Sequence, residues 1–263
     1  MLKKKLAAIL LIFGVIPLGV LLIVLLGMWQ DVQKLKDHYP VFDKKKADYV
    51  LVNKKPKHWI AVNKISKVAR WAIIVSEDWA FYEHEGIDTR QLLKVIEESY
   101  EAGEFVRGAS TITQQVIKNA LLGPQKTLTR KVKEMIMATM LEKTLTKDQI
   151  LEHYLNLIEL GEDVYGVRAG ARLYFQKHPA KLNAKEGAFL AMLLPSPIRY
   201  SQSYRKQKLT PFAHEQINDI LVKLRQANII NESQREAASR EVLSFESINY
   251  FGEDFLDVTK EFE

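Results

Sequence analysis

Residues Thr127–Ile158 read TLTRKVKEMIMATMLEKTLTKDQILEHYLNLI, and this stretch decides the fold class. Thr127 stands where a helix N-cap belongs, and Val132, Met135, Ile136 and Met140 recur behind it at helical spacing, with Arg130, Lys131 and Lys133 on the opposite face. Thr146 with Gln149 then makes a capping box for a second helix, striped by Ile150, Leu151, Tyr154, Leu155 and Ile158. The same period extends outward. Upstream, Ile65, Val68, Ala72 and Val75 share a face of a helix running into Glu77. Asp88 with Gln91 is expected to make a capping box for a helix carrying Leu92, Val95 and Ile96 that Gly103 ends, and Thr111 with Gln114 opens another that Leu122-Gly123-Pro124 stops. Downstream, Asp163 precedes a further helix. Asn183 with Glu186 begins an apolar one that the Pro195–Pro197 segment terminates, Pro211 opens one bearing Ile217, Ile220, Leu221 and Leu224, and Asn231 caps the last. No stretch alternates as a strand should, so the expectation is a mainly α fold.

Leu6 to Trp29 carries no charge. At about 1.5 Å per residue such a helix crosses the roughly 30 Å hydrocarbon core of a bilayer. It lacks the short apolar run and small-residue cleavage site of a signal peptide, so an uncleaved anchor is expected. The reading divides the chain into a cytoplasmic stub (1–5), a transmembrane anchor (6–29), a Lys-rich juxtamembrane linker (30–58) and one helical domain (59–263). Lys3, Lys4 and Lys5 favour a cytoplasmic N-terminus, against Lys34, Lys36 and Lys44 to Lys46 on the other flank. The absence of cysteine excludes disulfides, thiolate metal sites and a thiol nucleophile. The net charge of +6 suits anionic headgroups or phosphates. No basic recognition helix or RNA-binding signature is present, which argues against nucleic acid.

Three stretches carry chemistry. Glu77–Gly86 reads EDWAFYEHEG, two adjacent carboxylates at a helix exit followed by an aromatic turn. Gly108–Gln115 reads GASTITQQ and sets hydroxyls, amides and backbone N–H groups at a helix start, a setting for sugars or phosphate. Arg130, Lys133 and Glu134 are spaced to share a helix face, and Lys118 and Lys126 lie just upstream, a basic cluster able to neutralise a pyrophosphate. Each has a plainer reading: an acidic solvated loop, an ordinary N-cap, a salt-bridged surface face. His84 lacks a partner histidine at ligand spacing and reads as structural, and no metal-ligand set is apparent.

Together and in this order, they resemble the bacterial peptidoglycan glycosyltransferases: the monofunctional transglycosylases and the equivalent domain of class A penicillin-binding proteins. Glu77-Asp78 with Phe81, His84 and Gly86 match the first motif, and Gly108 with Ser110 to Gln115 match the second. Arg130-Lys131 with Glu134, then Lys147, Ile150-Leu151 and Tyr154-Leu155-Asn156, and finally Gly166, Tyr174-Phe175 and Lys177 follow. The resemblance covers about residues 70 to 200. It implies a lysozyme-like helical domain on the outer face of the cytoplasmic membrane, polymerising lipid II into glycan strands. Glu77 would be the general base, and Glu134 the second essential carboxylate, ordering cations or a divalent metal (Mg or Mn) near the donor pyrophosphate. Lys118, Arg130 and Lys133, with Lys126, would surround that pyrophosphate. Ser110, Gln114 and Gln115 would line the substrate site, with Asp78 beside them supporting Glu77. The implied partners are lipid II, the growing lipid-linked strand, the membrane, and cell-division or elongation proteins.

The chain departs from the pattern where Lys126 replaces a common Arg, losing its bidentate fork, and where Arg168-Ala-Gly-Ala-Arg172 replaces an acidic and alanine-rich run. The sequence ends near residue 263 with no transpeptidase domain in view, so a monofunctional enzyme is expected. Phe105 to Pro124 is expected to form a mobile lid whose apolar flank meets the bilayer. Two rival readings stand: a lytic, lysozyme-like hydrolase with Glu77 as general acid, and a catalytically silent scaffold that binds lipid II or divisome proteins.

Overall fold

The computed structural model describes residues 14–246 apart from 105 and 107. The cytoplasmic stub, Lys3 to Lys5, residues 6–13 of the anchor, and the residues beyond 246 lie outside the described residues. The first helix, α1 (Ile16–Gln33), is apolar on all sides with Leu18, Leu21, Leu22 and Ile23 exposed, and Ile16–Lys36 is long and apolar enough to cross a membrane. Its end does not hang free. Val32 and Leu35 are fully buried, Gln33 Nε2 donates to Thr144 Oγ1 at 2.9 Å, and the His153 ring meets the Leu35 carbonyl at 2.9 Å.

The stretch expected to be a linker instead forms an antiparallel hairpin, β1 (Tyr39–Asp43) and β2 (Asp48–Val52), with Val41 opposite Val50. The lysines that suggested a linker occupy its turn, where Lys45 N donates to Asp43 Oδ1. Its aromatics fix it to the domain: Phe42 stacks on Tyr165 at 4.3 Å, Tyr39 meets Trp59 edge-on at 4.9 Å, and the Tyr49 hydroxyl donates to the Leu157 carbonyl.

The remaining described elements are helical: α2 (Lys67–Glu77), α3 (Thr89–Ala102), α4 (Ile112–Ile117) running into a wide π turn (Lys118–Leu122), α5 (Leu128–Glu142), α6 (Lys147–Leu157), α7 (Val167–Phe175), α8 (Ala184–Leu193), the short α9 (Pro197–Tyr200) and α10 (Gln202–Arg205), α11 (Pro211–Gln226) and α12 (Glu232–Arg240). The centre is α8, buried on every side between α2 and α11. At Gly187 a Cβ would lie 2.7 Å from the Ala69 Cα, so the lack of a side chain there sets how closely α8 and α2 approach. Helix α4 packs on α5 and α6 as a second layer.

Full capping boxes form at Thr111–Gln114, Thr146–Gln149, Asn183–Glu186 and Asn231–Gln234, whereas the box expected of Asp88 with Gln91 reduces to the Asp88 side chain accepting from Gln91 N. Two helix faces differ from expectation. On α5, Val132 is exposed while Glu134, Met137, Ala138 and Leu141 face inward, because the inward stripe carries an ion cluster as well as apolar residues. On α3 only Val95 is buried, and Leu93, Ile96 and Tyr100 are exposed. The second half of the segment expected to be a lid is core: Ile112, Val116 and Ile117 are fully buried. The further helix begins only after Gly166, four residues beyond Asp163.

Candidate active site

A cleft of about 1060 Å³ opens between the end of α2 and the loop before α4, with Glu77, Trp79, Ser110, Gln115, Gln216 and Lys223 in its walls. A smaller recess of about 230 Å³ adjoins it, lined by Gln115, Lys118, Asn119, Tyr154, Phe42 and Tyr165. Gln115 belongs to both walls, so it stands between the space that holds Glu77 and the space that holds Lys118.

Glu77 is the last residue of α2. Gln115 Nε2 donates to its Oε2 at 2.8 Å, and the buried Tyr154 hydroxyl points at the same oxygen from 3.5 Å. Burial raises its pKa above the ordinary carboxylate value, and the bonds from Gln115 and Tyr154 and the charge of Lys118 act against that rise. Lys118 sits at the start of the π turn, where the helix widens. Burial lowers its pKa, and the charge of Glu134 opposes this more than that of Glu77 does. It has no ion pair among the described residues. A half-buried ammonium in that state favours an incoming anion.

Glu134 is buried to 2% exposure and held by two cations. Arg130 Nη1 donates to its Oε2 at 2.6 Å, and Lys131 Nζ donates both to its Oε1 and, at 2.9 Å, to Ser110 Oγ. Lys131 therefore links the second and third motifs. Lys133, expected on this face, points to solvent one position past it, and Lys126 is exposed in the preceding loop. A carboxylate whose two oxygens are already held by cations is a poor metal ligand. Among the described residues no group of three or more His, Asp or Glu could hold an ion, so the donor set does not fit a protein-held Mg or Mn.

Two residues of the expected substrate site also hold the scaffold, Asp78 at the cleft wall and Gln114 behind it. Asp78 is buried, both its oxygens lie within 3.0 Å of His84 Nε2, and Oδ2 also accepts from Ile112 N at 2.9 Å. Gly86 N donates to His84 Nδ1, so that nitrogen is an acceptor and Nε2 carries the proton given to Asp78. Asp78 thus pins the end of α2 to the start of α4, and His84 is structural, as expected. Gln114 spends its amide oxygen on the Thr111 backbone N–H. Lys147 of the fourth motif clamps the same corner, donating to the His84 carbonyl at 2.6 Å and to Glu142 at 2.7 Å. Asn156 holds the backbone of Ile60 on both sides, and Lys177 pairs with Glu186. Arg168 donates to the Lys57 carbonyl, away from the cleft.

The structure brings together Glu77, Ser110, Gln115, Lys118, Arg130 and Glu134 around one corner. Sequence reasoning missed Lys131 and Tyr154 as members. Both lie inside quoted motifs, and their signal was spacing alone: Lys131 three residues before Glu134, Tyr154 on the buried stripe of α6.

The family described as Transglycosylase matches residues 44–225. Among similar proteins, "Penicillin-binding protein 1A" of Aquifex aeolicus is 35% identical over 224 residues, 84% of this chain and 30% of that protein. "Biosynthetic peptidoglycan transglycosylase" of Shewanella denitrificans is 44% identical over 146 residues, 56% of this chain and 62% of that one. "Penicillin-binding protein 1F" of Bacillus subtilis is 44% identical over 138 residues, 52% of this chain and 19% of that one. The chain spans less than two thirds of the length of each of these relatives.

Proposed function

The chain belongs to the transglycosylase family, and from that membership we propose that it polymerises lipid II into glycan strands of peptidoglycan. In this reading Glu77 accepts the proton of the acceptor sugar's 4-hydroxyl as that oxygen attacks the anomeric carbon of the lipid-linked donor. The bond from the anomeric carbon to the pyrophosphate oxygen breaks in the same displacement. The centre inverts, and the electron pair leaves on the phosphate. Lys118 and Arg130 meet that charge, and Glu134 with Lys131 holds Arg130 and Ser110 in place. Exposed Lys126 and Lys133 act only by attracting the anionic donor. The apolar helix at Ile16–Lys36 anchors the domain, and we place the N-terminus in the cytoplasm and the cleft on the outer face.

The observation that carries this reading is Lys118, a half-buried cation without an ion-pair partner among the described residues, one amide away from a carboxylate raised by burial. A base with a raised pKa is a stronger proton acceptor and a leaving pyrophosphate needs cations, so the two groups serve the two ends of one displacement. The rise of Glu77 also favours a second reading, a lytic hydrolase with Glu77 as general acid, in which Lys118 would have no task. Purified protein incubated with labelled lipid II separates them. Polymer from the wild type and none from Glu77→Gln is the expected outcome. Undiminished polymer from the variant would sink Glu77 as base, and shortening of finished glycan would establish the hydrolase.

A further inference from the structure

The turn after Glu77 holds three aromatic residues with different surroundings. Phe81 is fully buried, with Lys147 Nζ 4.6 Å from its ring centroid. Tyr82 packs on Trp71 at 5.7 Å and its hydroxyl donates to Asp148 at 3.2 Å. Trp79 has neither kind of tie: it is 49% exposed, stacks on no other ring, and its indole N–H has no hydrogen-bond partner among the described residues. So large an apolar face left open in a concave wall favours a ligand. Trp79 stands two residues past Glu77 in the wall of the 1060 Å³ cleft, with Ser76, Gln216 and Lys223 along the same wall.

An N-acetylhexosamine has a C–H face that an indole can cover and an edge of hydroxyl and amide groups that a serine, a glutamine amide and an ammonium can meet. We propose that Trp79 is the stacking platform for the acceptor hexosamine, the ring whose hydroxyl is presented to Glu77. This rests on the transferase reading above, and it adds the side chain that orients the acceptor. Loss of such a platform is expected to change affinity by about tenfold, which is about 1.4 kcal/mol.

The test uses the full chain in detergent and a lipid-free tetrasaccharide of alternating N-acetylglucosamine and N-acetylmuramic acid, with binding followed by saturation-transfer NMR. Polymerisation rate is followed separately against lipid II concentration. Trp79 lies outside the core, so Trp79→Ala and Trp79→Phe should both melt with the wild type. The expected result is a fall of about tenfold in saccharide affinity for Trp79→Ala and less than about threefold for Trp79→Phe. The polymerisation rate of Trp79→Ala falls at low lipid II and recovers at saturation. Equal saccharide affinity in wild type and Trp79→Ala, or no binding by the wild type, overturns the platform whatever the polymerisation assay gives. Saccharide binding that depends on Trp79 in a wild type that makes no polymer supports the platform and counts against the transferase reading instead.

Discussion

Glu77 is a carboxylate that burial holds above its ordinary range while Gln115, Tyr154 and Lys118 draw it back. A base works ionised, so the rate should fall as pH drops through that raised pKa, with an acid limb above the ordinary glutamate range near 4.3. Gln115→Leu removes a donor that favours the ionised form. The acid limb of the variant should therefore move to higher pH with the rate at alkaline pH less affected, as initial rates across a pH series would show. A limb that stays in place or moves to lower pH would mean that Glu77 does not set it. At this scale the sequence was informative where chemistry demands a residue type in an ordered motif, as for Glu77, Ser110, Gln115, Lys118 and Glu134. It was silent on what each side chain touches. Asp78 and Gln114 stand in the same motifs, yet one bonds His84 and Ile112 and the other closes a capping box. Lys131 and Lys133 both lie within a turn of Glu134, and the helical period lets only Lys131, three residues before it, reach it, whereas the neighbouring Lys133 turns to another face.

Between elements, the site depends on how the turn after α2 is held against α4 and α5. Gly86 has φ +91°, its carbonyl accepts from Thr111 Oγ1 at 2.7 Å, and a Cβ there would lie 2.9 Å from the Ala138 carbonyl carbon and oxygen. Gly86→Ala combines a left-handed backbone with an overlap against helix backbone that cannot swing aside, and it should cost about 3 kcal/mol or more. In a domain of this size that lowers the melting temperature by roughly 6–12 °C. Thermal unfolding followed by circular dichroism checks this, and a change below about 1 kcal/mol would show that the turn yields without loss. The helices themselves were legible because Thr111, Thr146, Asn183 and Asn231 announce their starts and apolar residues recur behind them. The hairpin was not, since five-residue strands with lysines in the turn look like a polar linker until Tyr165, Trp59 and Leu157 from distant parts of the chain complete their contacts. The face of α5 was misread for a related reason. Hydropathy places Glu134 and Arg130 outside, and the pairing of Glu134 with Arg130 and Lys131 lets it lie inside.

Across the whole molecule, the apolar helix is both the expected anchor and a part of the helical domain. Its first turns are exposed apolar surface, whereas Val32 and Leu35 enter the core and Gln33 bonds Thr144 at the end of α5, the helix that carries Glu134. If Ile16–Lys36 crosses the membrane as proposed, a segment joined this way fixes the height and tilt of the cleft relative to the bilayer, as a flexible tether could not. For the substrate proposed above, whose sugar and pyrophosphate stand at a set distance from its lipid, a fixed height is what the reaction needs. The coupling can be measured. Leu35→Ala deletes a fully buried side chain and should destabilise the domain by about 3 kcal/mol, whereas Leu22→Ala, on the exposed stretch, should change its stability by less than about 0.5 kcal/mol. Both variants would be unfolded in the same detergent, with melting followed at 222 nm and residual polymerisation read alongside. Equal melting temperatures for the two would mean that the anchor is only tethered. A selective loss in Leu35→Ala, with polymerisation falling in step, would establish that the membrane helix helps to hold the catalytic corner in place.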